Sequence, residues 1–463
     1  MNTGRSDHRL TDAWRRSLPW VVLAGLALAA FLVGCSAARP TEGEASALPW
    51  WKGLTHMHSR WSDGADFPEM VAQYYKSHGY NFVVVTDHNK LQEGESWSPL
   101  IKQPRDNQRL EEYKKWLGNE EVPTRQQEAP KPKPDPSKPK PEEPKTKQMV
   151  TAARVKPLAD YRARLEEPGR FLIIPGEEIT DSCGKLQIHY VAINPAEKMT
   201  AVKGKTVKET LEGDLGLVTR QEKRLNRPML AILNHPNWGG MIPVEDWQAL
   251  PDLLCFEVIN EVITSTDNTG DEKRLSTDRL WDVALAARLS RLGLGTLYGV
   301  AADDVHDAQS GGGFGWIVVR AKDLSAASLI AAMKKGEFYA STGVRLKDVR
   351  RGSGAYTVEV DPEPGVTYTI QFIGTLPGYD RGREDAKDDK GELLPPTERY
   401  SEDIGKVLKE VTDAKATYTP TGKELYVRAK IISSKSRPGP DVKKLPAIEA
   451  AWTQPMVIAP QKK

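Results

Sequence analysis

Short motifs of histidine and carboxylate, most of them closing an apolar run, constrain this chain more than any other feature. They read His56-Met57-His58 with Ser62-Asp63-Gly64, Thr86-Asp87-His88, Pro175-Gly176-Glu177-Glu178, His189, Asn234-His235-Pro236 and Asp304-Val305-His306. Six of the chain's eight histidines belong to this set. Imidazole and carboxylate are the side chains that hold Zn, Mn or Fe. A fold that uses them has to bring distant strand ends onto one rim.

The apolar runs predict strands at Asn81–Thr86, Phe171–Pro175, Leu186–Ile193, Met229–Leu233, Cys255–Ile259, Gly295–Ala301 and Gly315–Arg320. Helical patterns lie between several of them, at Pro68–Ser77, Ala152–Glu167, Ser276–Leu292 and Leu324–Lys335. Strand alternating with helix gives an α/β fold, either a parallel sheet or a β/α barrel, over residues 50–344. Barrels of this kind carry their chemistry on loops at the C-terminal strand ends, where most of these motifs fall. A Pro/Lys-rich insertion at about 119–150 cannot pack a core and reads as an extended, solvated loop. After Val344 the runs Tyr356–Val360, Thr367–Phe372, Tyr426–Ile432 and Trp452–Ile458 alternate without helices between them. They predict a smaller all-β, sandwich-like C-terminal domain over 345–463, with Pro377–Glu424 as a long loop.

The N-terminus reads as an export signal. Arg9, Arg15 and Arg16 precede the apolar stretch Pro19–Val33, which ends Leu32-Val33-Gly34-Cys35. That ending resembles a bacterial lipobox, which implies cleavage after residue 34, lipid on Cys35, a tether over 36–49 and an exported protein anchored to a membrane. A single transmembrane helix is the alternative, but about 15 apolar residues are short for a span of ~20. Cys183 and Cys255 then face an oxidising compartment, paired or as buried thiols. A net charge of +2 over 463 residues offers no electrostatic footprint for duplex nucleic acid. Nucleotides and short oligonucleotides stay open as substrates because metal ions supply positive charge locally. No protein partner is indicated.

The ordered motifs resemble the PHP family, named for polymerase and histidinol phosphatase. The resemblance covers about Trp50 to Val344, including the closing segment Gly336-Glu337-Phe338-Tyr339-Ala340-Ser341-Thr342-Gly343. Within the family the chain is similar to the carbaryl-hydrolase-like branch, through Trp452-Thr453-Gln454-Pro455 and the added β domain. The resemblance implies a distorted β/α barrel and two or three divalent metals (Mn, Zn or Fe). His56 and His58 would hold the first with Asp304. Glu178 would bridge to a second, held also by His189 and His235. Asp63, standing where some members carry histidine, would hold a third with His88 and His306. Glu177 competes for the bridging role, and Glu178 is preferred because it directly precedes the apolar Ile179. A water bridging the metals would be the nucleophile, with Asp87 and Thr86 in support by orienting His88.

Taken singly, each residue has a plainer reading. His189 on an apolar strand is ordinarily a satisfied core residue, His78 complements a helix C-terminus, and Glu257 would be a paired structural charge. Arg60, Lys90, Lys185 and Asn260 lie near the ligands as substrate-binding candidates, although such cations usually face solvent. The expected activity is metal-dependent hydrolysis, foremost of phosphoesters of small compounds, nucleotides or oligonucleotides. One alternative is a carboxylic ester, carbamate or amide hydrolase using the same metals, with Trp61 and Trp238 forming an aromatic pocket. The other is a non-catalytic surface binding module.

Overall fold

The computed structural model describes residues 48–101, 105–130, 148–238, 241–260, 268–270, 275–308, 312–352, 354–380, 383–387, 393–437 and 448–458, with backbone alone at 383–387 and 393–399. Cys35, the signal segment and most of the tether lie outside them, as does 131–147 of the insertion.

The strands are β1 Trp50–Leu54, β2 Phe82–Val85, β3 Ser96–Pro99, β4 Thr124–Glu128, β5 Met149–Val155, β6 Leu172–Cys183, β7 Leu186–Ile193 and β8 Leu230–Leu233. They continue with β9 Cys255–Asn260, β10 Tyr298–Ala302, β11 Trp316–Arg320, β12 Phe338–Ser341, β13 Leu346–Gly352, β14 Ala355–Val360 and β15 Tyr368–Thr375. The last are β16 Arg383–Lys387, β17 Leu393–Tyr400, β18 Lys406–Thr412, β19 Lys415–Tyr418, β20 Tyr426–Ser436, β21 Ile448–Thr453 and β22 Met456–Val457. The helices are α1 Pro68–Ser77, α2 Asp106–Trp116, α3 Leu158–Leu165, α4 Val207–Leu225, α5 Val244–Gln248, α6 Thr277–Ala287 and α7 Ala326–Met333, with a π turn at Arg288–Leu292.

A mixed sheet runs β10-β9-β8-β7-β6-β2-β1-β11-β12-β21-β20-β15-β18, and β22 pairs with β20. The pairs β10/β9, β9/β8, β6/β2 and β2/β1 are parallel. Strands β2, β8, β9 and β10 are buried along their whole length, as continuous apolar runs in parallel sheets should be. Side chains from β2 and β6 to β12 converge on one core, which α7 plugs through Leu329, Ile330 and Met333. The ladder stops at β10, which meets β11 and β12 without strand pairing among the described residues.

Local chemistry sets the helix ends. Pro68 opens α1, and Thr206 caps α4 by accepting from Glu209 N. Ser276 does the same for Arg279 N at α6. A second layer, β3-β5-β4 with α2, packs Leu110, Tyr113, Leu100 and Ala153 around Phe67, beside the loop that carries Asp63. On the C-terminal side β13-β14-β19 faces β15, β20 and β21 across a core of Tyr356, Val358, Ile370, Phe372 and Ile431.

Four expectations need correction. Strand β6 runs past Pro175 to Cys183 and turns into an antiparallel hairpin with β7, so β6, β7 and β8 break the parallel alternation. The helical pattern at Ala152–Glu167 is instead the end of β5 and a shorter helix that starts after Pro157. The flanks of the insertion, far from extended loop, form β4 and β5 and pair with each other. The stretch Pro377–Glu424 holds strands β16 to β19. Cys183 and Cys255 are free thiols.

Candidate metal centre

Backbone bridges register the loops that bear the motifs. Met57 pairs with Val305 and His88 with Glu178 as isolated parallel bridges, and His58 N donates to Val305 O at 2.9 Å. Gly64 closes the turn that presents Asp63. A Cβ there would fall 2.6 Å from Ser59 N and 2.7 Å from the His58 carbonyl carbon, so only glycine fits. His235 and Asp304 hold left-handed φ of 25° and 49°, a strain that non-glycine residues carry where surrounding contacts fix them. Those contacts are visible: Glu257 Oε2 accepts from His235 N at 2.9 Å, and Asn260 Nδ2 reaches Asp304 Oδ2 at 3.1 Å.

Glu178 is the hub. Its carboxylate lies within 3.7 Å of five imidazole nitrogens: His88 Nδ1 at 2.6 Å, His189 Nδ1 at 3.0 Å, His56 Nε2 at 3.3 Å, His58 Nε2 at 3.5 Å and His235 Nε2 at 3.7 Å. Asp304 Oδ1 meets His58 Nε2 at 2.9 Å and His56 Nε2 at 3.2 Å. Asp63 faces His88 Nε2 at 3.4 Å and His306 Nε2 at 3.5 Å. The nine expected ligands therefore come together, eight of them in three overlapping groups: His56-His58-Asp304, His88-Glu178-His189 and His58-Asp63-His88-His306. The grouping departs from the expectation in two ways. His58 and His88 each belong to two groups, and His235 stands just outside the second.

The donor set fits divalent cations better than it fits itself. Glu257 Oε1 takes the Nδ1–H of His56 at 2.8 Å, which leaves the Nε2 lone pair of a neutral ring facing His58 Nε2 at 3.1 Å and two carboxylates. Lone pairs that face one another need a proton or a metal ion between them. His189 Nε2, Glu178 Oε2 and Asp304 Oδ1 are buried without a hydrogen bond of proper geometry. Without metal, protons take the cations' place. Burial works against the charged form of His56, but Asp304, Glu257 and Glu178 outweigh it and hold this imidazole well above its usual range. At His88 burial is likewise overcome, chiefly by Glu178, and the ring rises to about 10. Burial wins at His189 and His306, which stay below the usual range as neutral rings ready to coordinate. Burial would raise Glu178, yet His189, His56 and His88 pull it well below the ordinary carboxylate range.

The supporting residues are only partly those expected. Asp87 does not orient His88. It accepts from Ser59 N and Oγ at 2.8 Å each, Ser62 Oγ at 2.5 Å and Gln92 Nε2 at 2.7 Å, and so holds the turn after His58. Thr86 Oγ1 bonds Met57 N at 2.9 Å. His88 is oriented instead by Thr180 Oγ1 at 2.6 Å. Asn234 Nδ2 donates to Glu178 Oε1 at 2.8 Å, a role unassigned from sequence although the residue sits in the His-Pro motif. Glu177 projects to the opposite face of β6, where its Oε2 accepts from Met199 N at 2.9 Å.

The substrate-binding candidates fare worse. Arg60 is buried and spent on Asp106 Oδ1 at 2.8 Å and on the Ala65 and Pro99 carbonyls. Lys90 and Lys185 are exposed and do not line the cleft, and Asn260 braces Glu257 and Asp304 from behind. Trp61 donates its indole N–H to Lys156 O, away from the ligands. The cleft, about 690 Å³, is completed by Asn89, Thr180, Gln187 and Trp238, with no lysine or arginine among the described lining residues. Trp238 packs edge-on against His235 with ring centres 5.0 Å apart and remains 38% exposed.

No protein-family model and no curated protein matches the chain. Among solved structures it is similar to a two-domain protein from Bacteroides vulgatus containing a predicted PHP-like metal-dependent phosphoesterase, at 15% identity and a TM-score of 0.36 over 81% of this chain and 96% of that one. It is also similar to an amidohydrolase from Chromobacterium violaceum solved with sulfate and no metal, at 15% identity and a TM-score of 0.30 over 62% and 96% of the two chains. Likeness this distant leaves function to be argued from the side chains.

Proposed function

We propose that this chain is a metal-dependent hydrolase of the PHP type, its strands curved into a distorted barrel, and that it cleaves phosphoesters of small molecules, nucleotides or short oligonucleotides. The supporting observation is Glu178, a buried carboxylate ringed by five imidazoles and flanked by Asp63 and Asp304. When bound, two or three divalent cations lower the pKa of a water molecule and offset charge on the attacked group. Three such cations would outweigh the carboxylates Asp63, Glu178, Asp304 and Glu257, so a cleft loaded with three would carry net positive charge and favour an anionic phosphoryl group without arginine clamps. Glu257 and Thr180 fix the His56 and His88 rings, and Asp87 fixes the turn between His58 and Asp63, so the donors are positioned before any ion arrives. On the reading of its N-terminal segment, the enzyme works outside the cytoplasm, tethered through lipid on Cys35.

Trp238 supports a second reading, an ester, carbamate or amide hydrolase whose aryl group lies on the exposed indole. The two readings part in a chromogenic panel of phosphomonoester, phosphodiester, carboxylic ester and carbamate under Mn and Zn. Cleavage of the phosphoesters is expected. Turnover of the acyl compounds alone would replace the first reading with the second. In that event Trp238→Ala should raise KM for aryl acyl substrates about three- to tenfold with kcat little changed, the size of one lost aromatic contact.

A further inference from the structure

We propose that Arg109 is a positioning residue for an outer, exchangeable metal position built from Asp63, His88 and His306. The proposal rests on the reading of the cluster as a metal centre and assigns a purpose to the layer of α2 and β3–β5, which that reading leaves unused.

The ligands are unequal in depth. Side chains of His56, Glu178 and Asp304 are 0%, 1% and 5% exposed, whereas His88, His306 and Asp63 reach 21%, 31% and 40%. The inner group is braced by Glu257, Asn260 and Asn234, which come from strand β9 and the end of β8. Asp63 and His306 sit instead on two loops, where ligand geometry is held less precisely than on strands unless something braces it.

Arg109 ties those loops together. From α2 its Nη1 donates to Asp66 Oδ1 at 2.8 Å and its Nη2 to Asp307 Oδ1 at 2.7 Å. Asp66 lies three residues beyond Asp63, and Asp307 directly follows His306. The loops also meet directly: Ala65 N donates to His306 O at 2.6 Å, and Ala308 N to Asp66 Oδ2 at 3.1 Å. The guanidinium is itself buried, at 4% exposure. Its planar fork spans two carboxylates at once, which a lysine ammonium cannot reproduce. Arg109 therefore fixes the spacing between Asp63 and His306 without touching any ligand atom or the reacting group.

The test is calorimetric titration of the metal-stripped full chain with Mn²⁺, run beside thermal unfolding. The wild type should show tight equivalents and one weaker equivalent, and His306→Asn should remove the weaker one. Arg109→Lys should weaken that same equivalent at least about tenfold and leave the tight ones within about twofold. If Arg109→Lys does not fold, Asp307→Ala, which removes one acceptor of the fork at a half-exposed position, should produce the same selective loss. Parallel weakening of every equivalent, unchanged binding in the variant, or a wild type without a weaker equivalent would each overturn the proposal. A chain that loads all its metals yet cleaves no substrate would sink the hydrolase reading and leave this one standing.

Discussion

Glu178→Gln is expected to lower turnover about a thousandfold or more and to weaken metal uptake in parallel. The change is nearly isosteric, so packing survives, but it removes the one negative charge that five imidazoles share. It also turns an amide N–H toward nitrogens whose lone pairs face inward. Glu177→Gln is the matched control one residue away. That side chain points out of the site and accepts from Met199 N, which an amide oxygen can replace. Burial raises Glu177 to about 7. An acid whose folded pKa lies above its unfolded value loses stability as pH climbs from about 4.5 through 7. Glu177→Gln should remove that loss and leave turnover within about twofold. Metal content and kcat/KM of both variants, with melting curves at pH 5 and pH 8, check the pair. Equal activity losses would show that the strand, not the carboxylate, matters.

The largest effect on stability is expected at Arg428. Strand β20 inserts this fully buried guanidinium against α6, with Nε 2.8 Å from Asp282 Oδ1, Nη2 2.6 Å from Asp282 Oδ2 and Nη2 2.8 Å from Asp278 Oδ1. Its plane also covers the Trp281 ring at 4.8 Å. Arg428→Met would leave the buried Asp282 carboxylate without its cation, with Tyr426 Oη still donating to it, and cost about 3–5 kcal/mol, read as a shift of the denaturant midpoint. Burial alone would raise Asp278, but Arg428 and Lys430 hold it well below the ordinary carboxylate range. A depressed acid contributes stability above its unfolded pKa, near 4, and loses it as pH falls below that value. Arg428→Met should therefore flatten the acid limb of the stability curve. Undiminished acid sensitivity would contradict the assignment. Because α6 starts at Thr277, whose Oγ1 bonds Val258 O at 2.6 Å on β9, the C-terminal sheet steadies a strand that carries site residues.

Most of the clustered histidines and carboxylates were legible because their motifs close apolar runs, and parallel strands converge at their C-terminal ends; His189, inside the antiparallel β7, carries no such mark. Glu178 faces the imidazoles and Glu177 does not, since neighbours on a strand point to opposite faces. Glu257 and Asn260 could be read as polar exceptions in a buried run, though their partners could not. Arg60 misled because a buried arginine beside a ligand has the same local sequence as a phosphate clamp. Its partner Asp106 comes from a helix that no strong periodicity announces. The α4 helix carries a local sign of its own in the Thr206-x-x-Glu209 capping pattern. Strands β4 and β18 expose nearly every residue and so leave no alternation to find. The left-handed backbone of His235 and Asp304 has no signature in the sequence, because the contacts that enforce it come from other strands.

The most direct measurement is anomalous diffraction from crystals of the chain grown with Mn²⁺. Two or more peaks among His56, His58, Glu178 and Asp304, with side-chain ligand distances near 2.0–2.3 Å, are the expected result. A well-folded protein whose cleft shows no peak at saturating Mn²⁺, and none with Zn²⁺ or Fe²⁺, would contradict it.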